Sequence, residues 1–154
     1  MEVSIMQRKC ALALGIVFLV LGIAGFIPSL VSLPSPDFDS SVPLTVDSFY
    51  AKGFGLLFGL FPTNLMHNLV HLTVGLLGIA AASTPGGARL YNRSFAISYL
   101  LIAVMGLFPL AKTTFGLMPI FGNNVWFNAL AGAIAGYFGF ALPESVPSDQ
   151  VMSN

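Results

Sequence analysis

The chain has 154 residues, 56% of them hydrophobic and only 8% charged, with a formal net charge of zero. That balance lies far from the quarter-charged make-up of soluble domains and predicts an integral membrane protein. It excludes an electrostatic footprint for nucleic acid, since basic residues never cluster beyond Arg8-Lys9, and the lone Cys10 excludes both an intrachain disulfide and a thiolate metal site.

Four long runs carry no charge: residues 10–33, 53–88, 94–111 and 113–143. A hydrocarbon core about 30 Å thick takes roughly 20 helical residues, so each run can hold one crossing. The expected architecture is an all-α, integral membrane four-helix bundle forming a single domain over residues 1–154. Its spans fall near 10–27, 64–82, 92–109 and 124–142, with an outer loop over 28–63 and a tail over 143–154. Helices are required because apolar runs without a closed barrel must satisfy their backbone groups internally.

The first span follows Arg8-Lys9, and the link between spans 2 and 3 carries Arg89 and Arg93, whereas the other two links carry only Lys52 and Lys112. The positive-inside rule then places both termini in the cytoplasm and the loop with Asp37, Asp39 and Asp47 outside. Tyr91, Tyr99, Trp126 and Tyr137 suit interfacial positions. A rival expectation treats residues 1–32 as a cleaved secretory signal, but the apolar stretch is long for one and no clear small-x-small site follows it.

An internal repeat opposes that rival further. Span 1 ends in Gly25-Phe26-Ile27-Pro28 and span 3 in Gly106-Leu107-Phe108-Pro109, an offset of 81 that also relates Arg8 to Arg89. Spans 2 and 4 align at an offset of 60, which pairs Lys52 with Lys112, Leu57 with Leu117, Phe61 with Phe121, Asn64 with Asn124, and Asn68 with Asn128. The pattern reads as two tandem helical hairpins in one orientation. The outer segments 54–61 and 115–121 match in apolar character and are too short to cross, so both are expected to be interfacial or re-entrant. Pro62 would separate an outer interfacial helix from span 2, with Thr63 or Asn64 capping the new start.

Span 2 opens with NLMHNLVH, residues 64–71, which hold the two histidines of the chain. Asn64, His67, Asn68, His71, Gly75, Gly78 and Ala82 fall on one helical face, opposite Leu65, Leu69, Leu72, Leu76 and Ile79. Span 4 repeats the layout with Asn128, Gly132, Gly136 and Gly139. Gly75, Gly78, Gly132 and Gly136 are therefore the expected helix-packing positions. Asn64, His67, Asn68, His71 and Asn128 form the expected polar cluster or ligand-binding site near the outer surface. Such a cluster can satisfy its own hydrogen bonds and fix helix register. Alternatively, imidazoles at i and i+4 can turn toward one ligand. The cofactor is left open: a tetrapyrrole or a metal on His67 or His71 is not favoured, because no second signature accompanies the pair. No catalytic constellation is visible, so neither catalytic residues nor metal ligands are assigned. The sequon at Asn92-Arg93-Ser94 is expected to be cytoplasmic and unused.

The stretch around FGLFPTNLMHNLVHLTVGLLG, residues 58–78, resembles a family of small bacterial four-span membrane proteins known only as domain of unknown function 4383. Ala88-Arg89 and the segment 106–122 take part in the resemblance, which extends over most of residues 10–142. Its most specific element is the N-x-x-H-N-x-x-H at Asn64, His67, Asn68 and His71. The resemblance implies four helices, a bacterial inner or thylakoid-type membrane, and no assigned activity. The family often carries a further polar or histidine position early in its last span, where Phe127 and Asn128 stand here; a shared cofactor would lack that ligand.

These readings together predict a non-enzymatic structural, assembly or interaction partner in the bilayer, associating with another membrane protein or with its own copies. A binding protein using His67 and His71 is the alternative. A small channel or transporter is the further alternative, for which the spans offer no mid-depth Asp, Glu, Lys or Arg.

Overall fold

The computed structural model describes residues 2–34 and 54–142; Asp37, Asp39, Asp47, Lys52 and the tail from 143 lie outside the described residues. Four helices dominate: α1 (Glu2–Ala24), α2 (Leu65–Ala81), α3 (Pro85–Met105) and α4 (Asn123–Gly136). The α4 helix continues into a π-helical turn over Tyr137–Ala141. Among the described residues, α1 is the helix long and apolar enough by itself to cross a membrane, and α2 is a shorter apolar helix.

Boundaries follow local chemistry. The α2 helix starts where the Asn64 side chain accepts from the His67 backbone N–H at 2.9 Å. The α3 helix starts at Pro85, after Thr84 caps the Gly87 N–H at 3.1 Å, and Pro at the first position leaves no helical donor wasted. This start lies seven residues before the expected 92, because the turn after Ala82 is tight and the cap lies within it. Likewise α1 begins at Glu2 rather than near 10, so Arg8 and Lys9 are helical. The ends agree with the repeat: α1 stops at Ala24 and α3 at Met105, each directly before the repeated Gly.

The expected all-α fold is corrected by a small sheet of three strands, β1 (Val31–Ser32), β2 (Gly55–Leu57) and β3 (Phe61–Thr63), in antiparallel order β1-β2-β3. The expected interfacial helix before α2 is thus a hairpin. Its turn holds Phe58 at φ 54° and Gly59 at φ 71°, a left-handed pair that a right-handed helix cannot contain. Pro62 pairs with Leu56 on β3, an edge strand, where a missing N–H is tolerated. The counterpart segment in the second half forms turns instead, with positive φ at Thr114, Phe115 and Gly116, so the two outer segments match in composition and differ in conformation.

Each hairpin packs antiparallel along a small-residue seam. In the first, Gly15 meets Gly75, Gly78 and Ile79, while Gly22 meets Leu72. In the second, Gly132 meets Leu100, Gly136 meets Ala96, and Gly139 meets Asn92 and Arg93. Ala96 is the counterpart of Gly15 and Gly139 that of Ile79, so the second seam is shifted by about one turn. Gly75, Gly78 and Gly132 thus stand at close backbone approaches within their own hairpins, and Gly136 at an ordinary contact with Ala96. At the centre stands Phe18, fully buried, with ring centroids 5.0 Å from His71, 5.1 Å from Phe95, 4.9 Å from Tyr99 and 5.6 Å from Phe127. One α1 side chain thus touches all three other helices.

Candidate functional site

At the end of the bundle where α2 begins, the polar face of α2 turns inward. His67, Asn68 and His71 are all at most 8% exposed. The two histidines stand one turn apart, and their Nε2 atoms face each other at 3.0 Å with ring planes at 79°. One Nε2 must donate and the other accept, so the rings hold complementary tautomers. His71 is further fixed by the edge-to-face contact with Phe18. His67 Nδ1 is buried without a partner in hydrogen-bond geometry, although the Pro119 carbonyl lies near enough to act on the ring.

The asparagines tie the cluster to its surroundings. Asn68 accepts from the Thr63 hydroxyl at 2.6 Å and donates to the Gly25 carbonyl at 2.7 Å, which links the start of α2 to the end of α1. Asn64 donates to the Leu117 carbonyl at 2.9 Å. From the other hairpin, Asn123 donates to the Leu60 carbonyl at 3.1 Å. Asn124 donates to the carbonyls of Pro62 at 2.7 Å and Pro119 at 3.1 Å. Each hairpin therefore bonds the backbone that leads into the other's second helix.

Of the expected cluster, Asn64, His67, Asn68 and His71 come together as the α2 periodicity requires. Asn128 is buried on α4 but does not line the small cavity beside the histidines; Asn124 and Phe127 do, with Leu21, Leu57, Phe61, Pro62 and Thr63. That cavity measures about 10 Å³, space for one water. A tetrapyrrole does not fit it. Moreover, the Nε2 atoms that would serve as axial ligands are engaged with each other.

A second polar cluster at the opposite end escaped the sequence reading. Gln7 of α1 donates to the Phe138 carbonyl at 3.0 Å, and its own carbonyl accepts from fully buried Asn92 of α3 at 3.0 Å. Arg8 Nε donates to the Ala82 carbonyl at the end of α2 at 2.7 Å, and Arg93 Nε to Gly139 at 2.8 Å. Phe138 and Gly139 stand in the last turn of the segment, whose carbonyls lack intrahelical donors, and Gln7 and Arg93 bond these two. The signal was present in the sequence, since Gln7, Ala11, Leu14 and Phe18 recur at helical spacing on the buried face of α1. Burial of Asn92 also removes the sequon from any glycosylation machinery.

A family model described as a domain of unknown function (DUF4383) matches residues 8–141. No curated protein and no solved structure matches the chain.

Proposed function

The chain belongs to the DUF4383 family, and from that premise we propose that it is a four-span integral membrane protein serving as a non-enzymatic structural, assembly or interaction partner in the bilayer. What supports the reading is the inverted distribution of polarity. Asn68, His67, His71, Asn92, Asn124, Asn128 and Gln7 are buried, while Ile16 and Val20 of α1, Leu69 and Leu76 of α2, Ile97 and Leu101 of α3, and Leu130 and Ile134 of α4 are exposed. A bilayer requires this arrangement and water opposes it. The lengths agree: the 17 residues of α2 rise about 26 Å, which a turn of flanking apolar chain extends to the hydrocarbon thickness.

A non-enzymatic role is favoured because the side chains of the outer cluster bond to one another or to backbone carbonyls, around a space sized for one water. The reading places both termini in the cytoplasm and the protein in a bacterial inner or thylakoid-type membrane, with lipid and a membrane-protein partner or a second copy as its neighbours. Reporter fusions after Ser83 and after Asp149 test the topology: both should read cytoplasmic, and a periplasmic signal from either refutes the orientation. Cross-linking at native expression followed by co-purification tests the role, for which recovery of a defined complex is expected and a lone monomer refutes it.

A further inference from the structure

We infer that the cleft near the start of α1 binds one anionic phospholipid, its phosphate held by Arg8 and Lys9 and its acyl chains laid along α1. The site rests on the membrane reading above and deepens it by naming a partner in the bilayer. The first support is the lining. Ile5, Arg8, Lys9, Leu12 and Ala82 line a cleft of about 180 Å³, far larger than the one-water space beside the histidines. Two adjacent cations, with an exposed apolar residue about a turn to either side, match an amphiphile that joins a negative charge to a chain. Glu2, the one acidic side chain among the described residues, lies about 9 Å along the helix from Arg8 and does not line the cleft.

The second support is how the arginine is held. Its Nε donates to the Ala82 carbonyl at the end of α2 at 2.7 Å, which orients the guanidinium while its two terminal amino groups can serve a phosphate. A side chain already ordered loses less freedom when the ligand arrives.

The third support is the comparison of the two hairpins. Arg93 of α3 repeats the anchoring, with its Nε donating to the Gly139 carbonyl at 2.8 Å. There the guanidinium lies over the Phe140 ring at 5.2 Å, and the next residue is Ser94. Beside Arg8 stands the cleft instead, and the next residue is Lys9. One hairpin covers its anchored arginine with its own ring, whereas the other leaves it open and adds a second cation. Anchoring of a helix end accounts for both arginines but for neither the cleft nor Lys9.

An apolar track leads away from the pair. Leu12, Ile16, Val20 and Ile23 are exposed at helical spacing. From Leu12 to Ile23 the helix rises about 17 Å, close to one leaflet of a hydrocarbon core about 30 Å thick. Acyl chains of a lipid anchored at Arg8 and Lys9 gain this contact, which a free phosphate cannot use.

Full-length protein in detergent is titrated with phosphatidylglycerol, with phosphatidylcholine of the same chains, and with inorganic phosphate, and bound lipid is counted by native mass spectrometry. A basic residue beside an anionic headgroup contributes roughly fivefold, so one phosphatidylglycerol per chain is expected, at a preference over phosphatidylcholine of about tenfold or more. Arg8→Gln and Lys9→Gln should each lower that preference about fivefold and the double variant abolish it, while Lys112→Gln, at the opposite end of the bundle, leaves it unchanged. Equal retention of the two lipids by wild type, a preference that survives the double variant, or an equal fall in Lys112→Gln overturns the site. Displacement of the lipid by inorganic phosphate, beyond that by chloride at the same ionic strength, would reveal a free-anion site and overturn the lipid assignment. Should Arg8→Gln fail to fold for want of the bond to Ala82, Lys9→Gln and Lys9→Glu decide, since Lys9 is exposed. Release of the protein from its membranes by alkaline carbonate would refute the membrane reading, whereas loss of the preference in a carbonate-resistant protein refutes the site alone.

Discussion

The seam between α1 and α2 makes a quantitative claim about Gly75. A methyl group built there would stand 2.4 Å from the Leu19 backbone nitrogen, 2.7 Å from the Leu19 Cα and 2.8 Å from the Gly15 carbonyl oxygen. Ordinary contact needs about 3.5–4.0 Å, so the shortfall is roughly 1 Å against backbone, which no rotamer change can relieve. The helices must separate, and overpacking of this kind costs about 1–3 kcal/mol. Gly136 is the internal control, because its added methyl would meet only the Ala96 Cβ at an unstrained 3.6 Å. Ala is also the better helix former by roughly 0.5–1 kcal/mol, so Gly136→Ala should be neutral or stabilising. The assay is thermal unfolding in one detergent, followed by the loss of helical ellipticity. Gly75→Ala should melt several degrees below wild type and Gly136→Ala at or above it. Coincident melting of the two variants would refute the close crossing.

Phe18→Ala removes the ring shared by all four helices and should cost about 3–5 kcal/mol, read as a lower midpoint in the same melt. Arg93→Gln withdraws the bond to Gly139 and the contact over the Phe140 ring at 5.2 Å; a loss of about 1–2 kcal/mol is expected, whereas an unchanged melt would mean that the π-helical turn needs no side-chain support. Gently purified wild-type protein should show no Soret or chlorin band in its absorption spectrum, since each imidazole Nε2 is turned toward the other; a band lost in His71→Ala would reverse that assignment.

Features encoded by period were legible in the sequence, whereas features encoded by partner geometry were not. Gly75 and Gly78 on one face of α2, and Gly132 and Gly136 on one face of α4, announce close approach wherever a helix forms, so the seams could be read directly. The histidines and Asn68 share a face for the same reason. Asn128 was expected beside them on a match of depth along two helices. Depth says nothing of rotation, and the rotation of α4 brings Asn124 and Phe127 to the cavity instead. The hairpin at Phe58-Gly59 was hidden because Phe rarely takes positive φ, so the pair looked like part of an apolar helix. Gln7 lay outside the expected first span, although its four-residue spacing from Ala11 continues the buried stripe.

In the four-span arrangement proposed above, burial in lipid supplies little driving force, and the side-chain amides explain how short apolar helices would cohere there. Gln7 and Asn92 join the hairpins at one end, Asn64, Asn123 and Asn124 at the other, and Phe18 in the middle. Each of the five amides donates to a backbone carbonyl of the opposite hairpin, so each substitution removes a bond across the interface. Asn124→Leu removes two bonds, one to Pro62 across the interface and one to Pro119 in its own half, whereas Asn92→Leu removes only the bond to the Gln7 carbonyl. If each bond were worth its typical intramembrane value of about 0.6 kcal/mol, Asn124→Leu would cost roughly 1.2 and Asn92→Leu about half that. Unfolding midpoints of the two variants and their double test this, and because the sites lie at opposite ends their effects should add. Strong coupling between them would instead mean that the two ends act on one another through the packed centre around Phe18, and the hairpins would then have to be treated as one cooperative unit rather than two joined by independent ties.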